Sequence, residues 1–174
     1  TLIDDLIPGT ISLGYLEKVL CLLLREGVPI RDMETILETL GDHAGALKDI
    51  DIVTEYVRQA LKRTITRRFA EANSLRVITV DPKVEDTIVA SVKKSEAGSY
   101  LAMDPDLIQK IVNITSGEID KVKDVIPNII ILTSPIVRIY FKKLIDQFIP
   151  NITVLSYSEI DNTAQIQAIG NIAM

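Results

Sequence analysis

Few residues in this chain could do chemistry, and each has a plainer occupation. There is one cysteine, Cys21, and one histidine, His43. A cysteine and a histidine can make a thiol nucleophile, because the imidazole draws off the thiol proton. Here Cys21 lies in a leucine-rich helical stretch with His43 at least a helix away, and nothing nearby favours the thiolate. Cys21 reads as a packed, inert thiol and His43 as an exposed loop residue. A metal site would have to borrow carboxylates, and no helix shows histidines at ligand spacing. Neither the glycine-rich dinucleotide pattern nor the P-loop occurs, so no cofactor is expected.

Asp81, Asp104 and Ser134 remain, each placed between an apolar run and a proline. Open α/β sheets hold ligands at such strand ends, so a small carboxylate-using α/β enzyme is one reading. Helix capping explains the same residues without catalysis, and the proline removes a backbone donor that a phosphate would want.

A second set of residues points to contact. Arg58 with Lys62, and Arg63 with Arg67, are i,i+4 pairs, and Arg68 follows. They form either a solvated face at a helix C-terminus or a surface that docks against acidic groups of a partner or neighbouring subunit. Leu22 lies roughly 120° from the centre of its helix's apolar stripe, by helix geometry. Either other helices of the domain cover it and Cys21, or it meets a missing domain or another subunit.

The elements that must position these residues divide in two. Leu16 to Leu40 is a helical hairpin: Leu13, Val19, Leu20, Leu23 and Leu24 cluster around Leu16, Gly27 stops the helix, and Pro29 opens the next. That second helix turns Met33, Ile36, Leu37 and Leu40 inward. A long helix follows from Asp49 or Asp51 to about Arg68, with Val53, Val57, Ala60, Leu61 and Ile65 inward. From Leu75 the pattern changes. LRVITV, Tyr100–Met103 and Ile129–Leu132 are strand-like, and each leads through Asp-Pro or Ser-Pro into an amphipathic helix. The first of these helices has Val84, Ile88 and Val92 inward. Ser116 to Val125 adds a separate helical segment. Ile129–Leu132, apolar on both faces, suits a central strand; Val154-Leu155 continues the sheet, and alternating Gln165–Ile169 suits an edge. The expected fold is α plus α/β: an all-helical subdomain over residues 1–73, then an α/β subdomain with a mixed sheet over 74–174.

The chain has 174 residues, is 47% hydrophobic and 25% charged, and carries a net charge of −5, which is ordinary for folded protein. Residues 1–74 hold 9 basic and 12 acidic groups, and residues 75–174 hold 10 and 12. Neither half is a nucleic-acid arm. A single cysteine suits a reducing cytoplasm, and no apolar run reaches the roughly 20 residues that span a bilayer. The abrupt start at Thr1 suggests a piece of a longer protein.

Several blocks already quoted resemble one family. Leu16–Leu40, with Ile30-Arg31-Asp32 and Thr35-Ile36-Leu37-Glu38, is similar to the FlhA (FHIPEP) family of membrane-linked export-gate proteins in flagellar and related type III secretion systems. So are Thr54–Leu61, Tyr100-Leu101 with Asp104-Pro105-Asp106, Ser134-Pro135 with Val137-Arg138, Val154–Ile160, and Gln167–Gly170. The resemblance covers essentially the whole chain. It implies the last two of four cytoplasmic subdomains, which follow a transmembrane bundle in that family, at the cytoplasmic face of the bacterial inner membrane. It further implies a homo-oligomeric ring that receives export chaperones and substrates and meets other export-apparatus proteins. The family's main chaperone cleft lies in the two earlier subdomains, so no chaperone-binding residue is carried over. The expected function is therefore non-enzymatic: the C-terminal part of the flagellar protein-export gate, or of its injectisome counterpart. Leu22, Arg31, Asp32, Arg58, Arg63 and Arg67 are the expected contacts with partners or subunits.

Overall fold

A computed structural model describes every residue from Thr1 to Met174. The chain forms two compact units, Thr1–Phe69 with Ser158–Asp161, and Ala70–Tyr157 with Asn162–Met174. Four residues from near the C-terminus thus belong to the first unit, beyond the simple division near residue 73 that composition suggests.

The first unit is built from α1 (Leu2–Leu6), α2 (Leu13–Arg25), α3 (Met33–His43), α4 (Ile50–Ala60) and α5 (Lys62–Phe69). Side-chain caps begin four of them, α1 through Thr1 Oγ1, which accepts the Asp4 N–H at 3.4 Å. Ser12 Oγ accepts the Tyr15 N–H at 3.0 Å, Asp32 Oδ1 that of Thr35 at 3.2 Å, and Asp49 Oδ1 that of Asp51 at 3.0 Å. Gly27 ends the first long helix at φ +75°, a conformation an L side chain adopts only with strain. The inward face of α2 differs from the expected one. Val19 and Leu23 are fully buried, while Leu13 and Leu24 are 68% and 53% exposed. The apolar stripe is therefore turned away from Leu13 and Leu24 by roughly 50°. The single long helix expected over 49–68 is interrupted at Leu61, whose N–H is shared between the carbonyls of Val57 and Arg58, both at 3.0 Å. Val53, Val57, Leu61 and Ile65 remain one buried stripe across the break.

The second unit holds β1 (Ser74–Val80), α6 (Pro82–Ala90), β2 (Val92–Ser95), β3 (Gly98–Leu101), α7 (Pro105–Val122), β4 (Ile130–Thr133), α8 (Pro135–Asp146), β5 (Thr153–Ser156) and β6 (Gln165–Ile172). Four strands form a parallel sheet in the order β5-β4-β1-β6, and β2 and β3 form a separate antiparallel pair. Central β4 is buried on both faces, as a strand covered by helices on both sides should be. Edge strand β6 exposes its first four residues. Ile78, Ile88, Ile111, Ile131, Phe141 and Ile145, all at 0% exposure, centre the core. Two expectations change here. Val92 starts the hairpin strand β2 rather than lining α6, and Ser116-Gly117 does not break α7, which runs continuously for 18 residues. In α7, Glu118 accepts a hydrogen bond from Lys121 and another from the Asn171 N–H on β6, which together hold its carboxyl below the usual range.

Because β5 and β6 lie on opposite edges of the sheet, their connection must carry the chain across it. A short 3₁₀ turn, Tyr157–Glu159, begins that connection, and Ser158–Asp161 is the stretch that joins the helical unit.

Candidate interaction site

The turn after α2 and the exposed side of α5 together form a groove of about 620 Å³. Pro29, Arg31, Asp32, Arg63, Thr64, Arg67 and Arg68 line it. Gly27 lets the backbone reverse close to α5: a Cβ there would lie 3.8 Å from the Phe69 ring. The reversal sets Arg31 beside α5, where Arg63 and Arg67 share one face by their i,i+4 spacing. All four arginines are exposed. The Arg68 guanidinium lies 5.2 Å from the Phe69 ring centroid. Asp32, the only acid in the groove, is engaged as the cap of α3, accepting the Thr35 N–H and, at 2.6 Å, its hydroxyl. Arg31, Arg63 and Arg67 form no ion pair with this chain. Four positive charges with one committed carboxylate make a local field opposite in sign to the protein's net charge of −5.

Of the six contact residues expected from the sequence, this groove gathers Arg31, Asp32, Arg63 and Arg67. Leu22 lies apart. It is half-buried in a second recess with Gly14, Glu17, Lys18, Cys21, Arg25, Ile50 and Asp51. Cys21 is exposed there, not packed beneath other helices as expected.

Arg58 has a different place, and the expectation that it meets a partner is corrected. It is 1% exposed, with its guanidinium inside the helical unit. Its Nη2 lies 2.6 Å from Glu159 Oε1, and its Nε donates to the same oxygen at 2.8 Å. Glu26 Oε2 and Glu55 Oε2 stand 3.8 and 4.0 Å away. A charge this deep must be paired, and Glu159 supplies the partner. Neighbouring bonds fix the same stretch: Thr66 Oγ1 donates to the Glu159 carbonyl at 3.5 Å and accepts the Asp161 N–H at 2.8 Å. His43 is likewise not a free loop residue, since its ring stacks on Tyr56 at 4.5 Å between centroids.

The strand-end residues of the enzyme reading are occupied locally. Asp81 accepts the Lys83 N–H at 3.2 Å, and Asp104 accepts that of Asp106 at 2.8 Å. At the third joint the Ser134 side chain makes no capping bond, and Glu85 Oε2 instead accepts the Ser134 N–H at 2.7 Å. Each carboxylate is satisfying a helix start.

Solved cytosolic domains of type III secretion contain, over about half their length, a small helical unit followed by a parallel α/β unit like this one. The nonameric EscV cytosolic domain from the type III secretion system aligns with 99% of this chain at a TM-score of 0.81 and 30% identity, and 51% of that chain is covered. Chlamydia pneumoniae CdsV, solved in complex with CdsO, aligns with 99% of this chain at a TM-score of 0.86 and 34% identity, again over 51% of its own length. The chain belongs to the FHIPEP family, whose model matches residues 1–165. The flagellar biosynthesis protein FlhA of Bacillus subtilis is 39% identical over 170 residues, 97% of this chain. The chain spans about 25% of that relative's length.

Proposed function

We propose that the chain is the C-terminal cytoplasmic part of a flagellar type III protein-export gate, in a longer protein anchored in the bacterial inner membrane. It acts by surface fit, not by catalysis: it joins a homo-oligomeric ring and helps dock chaperones, export substrates and other components of the apparatus. The observation that carries this reading is the end-to-end match of both units, in order, to one family. The higher identity to the flagellar relative than to EscV supports the flagellar over the injectisome version. The EscV nonamer supports a ring, and the CdsV–CdsO complex supports partner docking.

Ring geometry narrows the role of the arginine groove. A closed ring of nine copies needs a head-to-tail interface, in which one surface meets a different surface of the next subunit. A groove with four arginines cannot pair with itself, so its complement is an acidic surface elsewhere on the neighbouring copy. Arg31, Arg63 and Arg67 make that contact, with Asp32 fixing the helix start beside them; Leu22 is a separate apolar contact.

Removing the coding region for residues 1–174 from the chromosomal gene should abolish release of flagellar filament protein into the medium, measured by immunoblot, while the truncated product persists in the membrane. Undiminished release from such cells would overturn the assignment.

A further inference from the structure

The parallel sheet has two edges, and they are finished differently. On β5, the outward carbonyls of Ile152 and Val154 accept hydrogen bonds from Lys142 Nζ at 2.8 Å and Arg138 Nη1 at 3.0 Å, both on α8. An edge covered in this way is closed to another strand. On β6, cover reaches only the C-terminal end, where Glu118 Oε1 of α7 accepts the Asn171 N–H at 3.0 Å. The first half is open. The Gln165 N–H donates to the Asn73 carbonyl at 2.9 Å, so Gln165 and Gln167 bond inward to β1, and alternation points the N–H and C=O groups of Ile166 and Ala168 outward. Those four groups meet no partner in the chain. Residues 165–168 are all exposed, and β6 contains neither a charge nor a proline, the usual devices that keep an edge from pairing.

We propose that the Ile166–Ala168 edge of β6 docks an extended segment of unfolded polypeptide, which adds a fifth strand to the sheet. Only an extended backbone presents donors and acceptors at the two-residue repeat, about 6.6 Å, that separates the free groups of Ile166 and Ala168. The charge of the edge narrows the occupant further. Gln165, Ile166, Gln167 and Ala168 are all uncharged, so the edge matches an uncharged segment, and recognition is through the main chain and tolerant of sequence. One short edge is also far smaller than the roughly 1,000 Å² that a stable folded partner buries, so the hold is transient. Weak, main-chain recognition suits a chain in transit, and the occupant is therefore an unfolded export substrate. That last step rests on the export reading; the open edge does not. Asn73 Nδ2 donates to the Thr163 carbonyl at 2.7 Å and fixes the approach to β6, so the strand is preformed and the ordering cost falls on the substrate alone.

The test is amide exchange by nuclear magnetic resonance on the complete chain, with an acetylated and amidated octapeptide of alternating Thr and Val as the probe. In the free chain the Ile166 and Ala168 amides should exchange at least about tenfold faster than the Gln167 amide, which bonds to β1. Saturating peptide should slow both by about fivefold or more, and the same peptide with every amide N-methylated should not. Ile166→Pro removes one outward donor and no bond to β1, so it should keep the circular dichroism spectrum and weaken peptide binding by about tenfold. If that variant does not fold, Ala168→Lys keeps the backbone, places a charge on the edge and reads the same loss. No slowing by the unmodified peptide, or equal slowing by the methylated one, overturns the proposal. So does protection of Ile166 and Ala168 that rises with protein concentration alone, which would mean that a second copy fills the edge. In cells, Ile166→Pro in the full-length protein should lower release of flagellar filament protein by about threefold or more, with its level in the membrane unchanged. Normal release from a variant that no longer binds the peptide would overturn the export substrate as the occupant while leaving the family membership intact.

Discussion

Arg58→Met is expected to destabilise the helical unit by about 3–5 kcal/mol, the usual cost of leaving a buried ion pair without one member. Methionine keeps most of the aliphatic stem, so the loss is electrostatic rather than a cavity. Glu159, itself 1% exposed, would remain beside Glu26 and Glu55 with the guanidinium gone. Glu159→Gln should cost clearly less, because the amide oxygen still accepts from Arg58 and the two other carboxylates still balance its charge. Urea melts followed by far-ultraviolet circular dichroism measure both. Equal costs for the two variants, or a cost below about 1 kcal/mol for Arg58→Met, would mean that the cluster is not organised around this arginine.

The second large effect is on assembly rather than folding. Arg63→Glu with Arg67→Glu changes the groove by four charge units on residues that form no internal ion pair. Exposed substitutions of this kind should leave the fold within about 0.5 kcal/mol of the parent. Against an acidic surface they place like charges together, which costs several kcal/mol, so self-association of the full cytosolic region should weaken by about 100-fold or more. Sedimentation velocity reads this directly. Raising salt should weaken the unmodified assembly in the same direction, since exposed charges are screened beyond about 8–10 Å at physiological ionic strength. Unchanged association of the double variant would remove the groove from the ring interface.

The parts of the fold that could be read from the sequence are those with local causes. Asp81-Pro82, Asp104-Pro105 and Ser134-Pro135 mark three helix starts because proline and a short polar residue suit those positions whatever surrounds them. Ile129–Leu132 declares a covered strand by its composition alone, and the observed β4 lies one residue later. The missed features have distant causes. Arg58 looks like Arg63 and Arg67 in the sequence, and what separates them is Glu159, 101 residues further on. The rotation of α2 follows from what packs against Val19 and Leu23, while leucines at 13 and 24 mimic the stripe. Lys93-Lys94 and the turn before Gly98 make a polar hairpin whose alternation is too weak to register, although Gly98 at φ +123° was a turn signal available in the composition. For the groove, charge and spacing flagged Arg63 and Arg67. Only the reversal at Gly27 brings Arg31 to them.

A photo-crosslinking amino acid in place of Arg67, in the full-length protein in cells, tests most directly whether this surface holds the assembly together. A covalent dimer of two copies, linked through the groove of one to a different surface of the other, is the outcome that follows from a head-to-tail ring built on these arginines. Monomer alone, recovered from cells whose export apparatus has assembled, would contradict it.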